Sequence, residues 1–179
     1  MAKGRRRYLV IDASIAGAAG NRDADPSRPC TAALNAVLHT LHRLAMSGPL
    51  LEEWKRHQTR FARGWLLSMY ARRLVDELDI GDDEPLRGRI EHAAPNANIA
   101  AILLKDAHLI ELALASDERI LSLDETARRH YHQAAQEIRE LRRLCWVNPA
   151  VPDEQAVEWL VGGAHANRHR KLGYIAPQV

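Results

Sequence analysis

Two short apolar runs, Tyr8 to Ile11 and Arg119 to Leu123, favour β-structure, and each ends at an aspartate, Asp12 and Asp124. Between and after them the apolar residues recur at helical spacing. Strands that alternate with helices constrain the fold strongly, because that pattern builds a parallel sheet covered by helices on both faces. The sequence therefore predicts an α/β chain.

The first strand passes into small residues, Ala13 to Gly20, and then a loop, Asn21 to Pro29, with two prolines and no apolar periodicity. Leu34, Val37, Leu38 and Leu41 mark the inward face of a helix from about Thr31 to Arg43. A brief strand near Leu44 to Met46 leads through Ser47, Gly48 and Pro49 into a helix holding Leu50 to Trp54. Apolar spacing predicts a further helix from Arg60 to Val75, an acidic loop from Asp76 to Glu84, and a short helix from Pro85 to His92. Ile99 to Ala115 reads as one long helix, broken by Ser116 and Asp117. After the Arg119 to Leu123 strand come a helix from Glu125 to about Arg139 and a strand at Leu144 to Val147. Residues 1–149 form the expected domain. Residues 150–179 are expected to add a helix, Asp153 to Val161, stopped by Gly162 and Gly163, and a basic arm.

At 179 residues the chain is long enough to bury one sizeable core. Hydrophobic residues at 46% and charged residues at 27% exclude wholesale disorder. Cys30 and Cys145 allow at most one bridge and lack zinc-site spacing. No apolar stretch reaches the ~20 residues of a membrane span, and the start MAKGRRRYLVID lacks a secretory apolar segment, so a cytoplasmic, membrane-free protein is expected. A net charge of +2 is too small to imply nucleic acid by itself. Basic residues do cluster at Lys3 to Arg7, Lys55 to Arg63, Arg128 to His132 and Arg168 to Lys171. Solvated helix faces produce such runs as well as partners do.

Acidic residues carry the functional signal. In an open parallel sheet, functional groups collect where strands emerge at their carboxyl ends. Asp12 and Asp124 are expected there, close enough to repel unless a cation or proton lies between them. A hard divalent ion, Mg²⁺ or Mn²⁺, is the simplest resolution; a turn or N-cap role is the alternative. Asp106 falls among Ile102, Leu103, Leu109 and Ile110, in the middle of an apolar stripe. A carboxylate there must be paired, metal-bound, or exposed by a bend near Lys105 where it caps a new helix. Glu52 and Glu53 are adjacent and point about 100° apart on a helix, so one of them can face the crevice. Glu53 is the choice, because Glu52 serves equally as a first-turn charge on the helix dipole.

With these residues in place the chain resembles the PIN-domain family. VIDAS, with Asp12 and Ser14, resembles the family's opening strand; LLEEW is similar to its glutamate-bearing helix and maps to Glu53. KDAHLIELAL resembles the third-acid segment, Asp106, and ILSLDE the fourth, with Ser122 and Asp124. The fragments span residues 8 to 125, about two thirds of the chain. The resemblance implies a three-layer α/β/α fold and Mg²⁺- or Mn²⁺-dependent cleavage of RNA, less often DNA. The long acidic loop after Val75 and the arm after Pro149 depart from the pattern.

Four carboxylates suit phosphodiester hydrolysis, in which a metal polarises the phosphoryl oxygen and activates water. Asp12, Asp106 and Asp124 are the expected metal ligands, and Glu53 holds a second ion or orients the water. Ser14 and Ser122 are candidates to hydrogen-bond the carboxylates or the phosphate, and Asp117 to support the site or to start the turn into its strand. There is no phosphate loop, GxGxxG or GxSxG motif. His130 and His132 lie on different helix faces, and His108 beside Asp106 is a candidate to support the acids. The expectation is a ribonuclease, of the housekeeping kind or as the toxin of a toxin-antitoxin pair with an antitoxin as protein partner. A PIN-like module that binds nucleic acid or protein without catalysis is the alternative, with its acids splayed or occupied by Lys and Arg. Arg168, His169, Arg170 and Lys171 are candidates to hold phosphates, to latch onto a second subunit in a homodimer, or to cover the acids.

Overall fold

A strand buried on both faces must sit inside a layered fold, and Leu9, Val10 and Ile11 have no exposed surface at all. They belong to β1 (Tyr8–Ile11), followed by α1 (Ala13–Ala18), α2 (Ser27–Thr40), β2 (Arg43–Met46), α3 (Gly48–His57), α4 (Arg60–Ala71) and β3 (Val75–Glu77). The chain continues through α5 (Glu84–Ala93), α6 (Ala97–Lys105), α7 (Ala107–Leu114), β4 (Arg119–Leu121), α8 (Glu125–Ala134), β5 (Cys145–Val147) and α9 (Ala156–Val161). The computed structural model describes residues 6–21 and 26–177. Its five strands form one all-parallel sheet in the order β3-β2-β1-β4-β5, flanked by helices in a three-layer α/β/α arrangement.

The order determines where a site can form. From β1 the chain builds outward through β2 to β3, then returns across the sheet to lay β4 on the other side of β1. Connections leaving the carboxyl ends of β1 and β4 therefore diverge, and a crevice opens between them. Val10 pairs with Ile120 and Ile11 with Leu121, so the residues after Ile11 and Leu121 emerge side by side. The Asp12 N–H continues the ladder by donating to the Leu121 carbonyl at 2.9 Å.

Helix ends follow local chemistry. Ser47, Thr59 and Asn96 each accept from a backbone N–H three residues on, which opens α3, α4 and α6. Trp54 in α3 is fully buried, stacks on Trp65 of α4 at 5.8 Å, and donates its indole N–H to the Ile11 carbonyl at 2.8 Å. That bond fixes α3 beside the end of β1.

Several boundaries differ from the sequence reading. The helix expected to run to Val75 stops at Ala71, and Val75–Glu77 is an edge strand inside what read as an acidic loop. Its charge suits an edge: Asp76 pairs with Arg43 of β2 at 2.5 Å, and no side chain of β3 is fully buried, so hydrophobic patterning left no trace. The long helix expected over Ile99 to Ala115 is two helices meeting at Asp106. Strand β4 ends at Leu121, two residues early, and the expected helix to Arg139 ends at Ala134. Residues 22–25 of the expected Asn21 to Pro29 loop, and Lys3 to Arg5 of the first basic run, lie outside the described residues.

The expected C-terminal helix is present as α9, and both it and the expected basic arm are folded onto the domain. Trp159, Leu160, Ala164 and Leu172 join the same hydrophobic core as the sheet, α9 packs on α2, and Lys171 forms an antiparallel bridge with Cys145. No described helix is long and apolar enough to cross a membrane. Cys30 and Cys145 are both free and buried.

His42, just before β2, ties this segment down. Its Nδ1 accepts from the Arg7 N–H at 3.0 Å, so its Nε2 carries the proton and donates to the Leu160 carbonyl at 2.9 Å. Burial lowers its pKa from 6.5, aided by the charges of Arg7 and Arg119 and opposed by the Leu160 bond. The folded ring resists protonation while the unfolded one accepts a proton near its ordinary value, so stability is full above about pH 6.5 and falls as pH drops below it. Urea midpoints taken at pH 7.5 and 5.5 should show this loss in the wild type. His42→Gln, less stable throughout, should lose less over the same interval; an equal loss would assign the effect to other groups.

Candidate functional site

Asp12 is the first residue past β1, with extended backbone, and its carboxylate makes no capping bond to α1. Instead its Oδ2 accepts two hydroxyl hydrogen bonds, from Ser14 Oγ at 2.5 Å and Ser122 Oγ at 2.6 Å. Each serine is held in turn. Ser14 Oγ accepts from the Leu123 N–H at 3.2 Å, and Ser122 Oγ from the Asp124 N–H at 3.0 Å. The two hydroxyls thus aim one carboxylate and stitch the loop after β1 to the loop after β4. A half-buried carboxylate with such neighbours cannot rotate freely, which is the preorganisation a site needs.

Asp106 occupies the junction of α6 and α7. Its backbone N–H closes α6 and its carbonyl opens α7, but its side chain caps neither helix, which removes the capping alternative. Only 8% of the residue is exposed. Burial raises its carboxyl pKa; the Lys105 ammonium, 3.4 Å from Oδ1, opposes the rise, and the negative charges of Asp12 and Asp124 add to it. Asp12 and Asp124 therefore both lie within electrostatic reach of Asp106.

Asp124 departs from the expectation. It stands three residues beyond the end of β4 rather than closing it, and its Oδ1 caps α8 by accepting from the Ala127 N–H at 2.8 Å. The N-cap role foreseen as an alternative is real here, and it still holds the carboxylate at the cleft. Glu53 lines the same cleft from α3, whereas Glu52 turns to solvent and pairs with Lys55 at 2.7 Å. The adjacent glutamates divide as their 100° separation requires.

A cleft of about 460 Å³ brings Asp12, Glu53, Asp106 and Asp124 together, with Ser14, Gly17, His57 and Lys105 also on its walls. Gly17 is small for a reason: a Cβ there would meet the His57 carbonyl oxygen at 3.2 Å, so α1 and α3 approach closely behind the cleft. Asp117 is elsewhere. Its Oδ2 accepts from the Tyr8 N–H at 3.0 Å at the opposite end of β1, so it terminates the sheet and cannot support the acids.

Lys105 and His108 carry little sequence signal. Lysine in a last helical turn reads as a charge on the helix dipole, yet here its pKa is raised first by Asp106 and further by Asp124 and Glu53. The His108 Nδ1 donates to the Lys105 carbonyl at 3.3 Å, and its buried Nε2 lies 3.3 Å from Glu53 Oε2 without a well-aligned hydrogen bond. Behind it, burial opposes ionisation of Glu111, but the Arg87 fork and the Asp83 N–H together hold its carboxyl below the usual range.

The four acids of the cleft offer carboxylate oxygens, which is the chemistry of a hard cation, and the buried Asp106 has only the Lys105 ammonium beside it. These residues fit a divalent ion in kind. In spacing they are open: among the described residues, no three His, Cys, Asp or Glu side chains stand close enough to hold an ion between them.

Of the expected phosphate contacts, Arg170 cannot serve. It is buried over the Trp159 ring at 5.5 Å and donates to the Glu154 carbonyl at 2.5 Å. Arg168 lies over the Tyr174 ring, and Lys171 is half-buried. The sequence matches no protein-family model and no curated protein.

Because Asp106 has a raised folded pKa, its ionised form opposes folding at neutral pH: stability is full below its ordinary value of 3.8 and is lost as pH rises through the folded value. Asp106→Asn should therefore raise the Tm at pH 7 by a few degrees, about 1 kcal/mol being worth about 2–4 °C in a chain this size. At pH 3 the gain should vanish. Paired thermal melts at the two pH values test it, and a lower Tm for the variant at pH 7 would overturn the assignment.

Proposed function

We propose that this chain is a metal-dependent ribonuclease that hydrolyses phosphodiester bonds at the acid cleft, in keeping with its resemblance to the PIN-domain family. The observation that carries the reading is Asp12, aimed by two hydroxyls into a cleft that also collects Glu53, Asp106 and Asp124. Carboxylates held together against their own repulsion are costly unless a cation is to share them.

In this reading Asp12, Asp106 and Asp124 hold Mg²⁺ or Mn²⁺, with Glu53 at the cleft wall as a fourth carboxylate. When bound, the ion supplies positive charge to a phosphoryl oxygen and acidity to a water molecule. Ser14 and Ser122 keep Asp12 in one orientation, so no rearrangement of that carboxylate is needed during the reaction. Asp124 spends one oxygen on α8 and has the other for the site. Glu53 is suited to orient the attacking water and accept its proton, with the His108 ring 3.3 Å behind it. Lys105, largely exposed along its side chain, is free to swing from Asp106 to a phosphate oxygen.

A second reading has its own observation. Lys105 stands among the acids, and no three of them converge as they stand. That is the arrangement of a module that binds nucleic acid or a partner protein, an antitoxin among them, without cleaving anything.

An RNA-cleavage assay with Mg²⁺ or Mn²⁺, on wild type and Asp12→Asn purified side by side, decides between them. The nuclease reading expects metal-dependent cleavage that falls by about 100-fold or more in the variant, each tenfold being ~1.4 kcal/mol of transition-state stabilisation. Equal cleavage by both would mark a contaminant and end the catalytic reading. RNA bound but uncut by the wild type would favour the binding module.

A further inference from the structure

Helix α8 carries Asp124 at its start, and Arg128, Arg129 and His132 along its length. The C-terminal segment lies against that face. His132 Nδ1 donates to the Leu172 carbonyl at 2.6 Å, leaving Nε2 as the ring's other polar atom, and the Lys171 backbone is anchored by its bridge to Cys145. Gly173 permits the close fit, since a Cβ there would lie 2.6 Å from the Arg142 Cβ. Together helix and segment enclose a second concavity, of about 370 Å³, walled by Arg128, Arg129, His132, His169, Lys171 and Tyr174, with Glu125 as its one acid and Leu172 beside it.

Its charge is not spent internally. Arg128 is neutralised by Glu154 and Glu125, but Arg129, His169 and Lys171 make no ion pair among the described residues. The acid cleft has the opposite character. With no cation bound, four carboxylates beside one lysine repel a polyanion, so the metal-free chain must attract a nucleic-acid strand chiefly through cations outside the cleft. At 1.5 Å per residue, Arg128 and His132 stand about 6 and 12 Å along α8 from Asp124, close enough for one short strand to reach both.

We propose that this concavity binds the sugar-phosphate backbone of single-stranded RNA, on the same strand whose scissile bond lies in the acid cleft. The proposal rests on the nuclease reading for that second clause alone. Arg129 and Lys171 are the principal phosphate contacts, with His132 and His169 beside them on the wall. Arg170, which the sequence places in the same basic run, serves instead as a buried strut that holds the segment in position.

The test is binding of a short, labelled single-stranded RNA by the full chain in EDTA, where no cleavage can occur, followed by fluorescence anisotropy across a salt series. Arg129→Ala/Lys171→Ala should bind about tenfold or more weakly at low salt, and the slope of log K against log salt should shrink by about 1.4, or ~0.7 for each phosphate that the variant no longer neutralises. Both substitutions are at positions outside the core, and matching melts of variant and wild type will confirm that the fold is kept. Arg72→Ala, at the opposite end of the sheet, should bind as the wild type does. Unchanged affinity and slope in the double variant, an equal loss in Arg72→Ala, or no RNA binding by the wild type would each overturn the proposal. So would a polyglutamate peptide that binds as tightly with the same dependence on Arg129 and Lys171, because the surface would then be one for acidic proteins. Failure of the nuclease reading is separate: a wild type that cuts nothing but binds RNA through Arg129 and Lys171 retains the site. A wild type that cuts RNA yet binds it independently of both residues loses it.

Discussion

The contact on which the candidate site depends is the pair of hydroxyl bonds to one oxygen of Asp12. Ser14 and Ser122 are far apart in sequence, yet both reach that atom because β1 and β4 are neighbours in the sheet. A parallel sheet that reverses its building direction at β1 leaves an open crevice at the carboxyl ends of these two strands. Without the serines this crevice would hold a mobile carboxylate between two diverging loops. With them it holds a fixed one, and through the Leu123 and Asp124 backbone N–H groups the loop after β4 becomes part of the same assembly.

The cleft is maintained against local preferences. Ile99 to Leu114 is apolar enough to run as one helix, but the chain breaks at Asp106, where a continuous helix would have buried a carboxylate in the core. The break lets the group face the cleft, still largely shielded and still raised in pKa by burial and by its acidic neighbours. Trp54 does the equivalent service for α3. Its indole bond to Ile11 seats the helix so that Glu53 faces the cleft and Glu52 faces water. A fold that places like charges together in this way gives up stability at that cleft.

Beyond Gly163 the chain resists a sequence-based reading, although the helix before it, Ala156–Val161, ends at Gly162 as its sequence implies. The run from Ala164 to Leu172 is basic and aperiodic, the usual marks of a solvated tail, whereas its buried residues are isolated ones: Ala164, Arg170 and Leu172. Arg170 is held by an aromatic ring and a backbone carbonyl, interactions that no hydrophobic pattern registers. The consequence is a segment that closes one side of the core and turns a different set of cations outward than composition alone would select.

Much of the molecule was nonetheless legible in its sequence. The alternation of short β-favouring runs with helical spacing established an α/β chain, and strand-end reasoning singled out Asp12; the abrupt stop of each apolar run is a local property, set by neighbours in the chain. The carboxylate in the apolar stripe at Asp106 was visible for the same reason, as was the need for it to find a partner. Only the tertiary structure decided what that partner set is. Whether Glu52 or Glu53 faces inward depends on how α3 docks through Trp54; the exclusion of Asp117 depends on which end of β1 it meets; the roles of Lys105, Gly17 and Ser122 depend on strand order. β3 escaped the sequence reading because a short charged edge strand is stabilised by its ladder with β2 and by the Arg43–Asp76 pair, partners more than thirty residues away. Backbone periodicity is written locally, but the convergence of side chains is a property of topology, and topology appears only when the sheet is assembled.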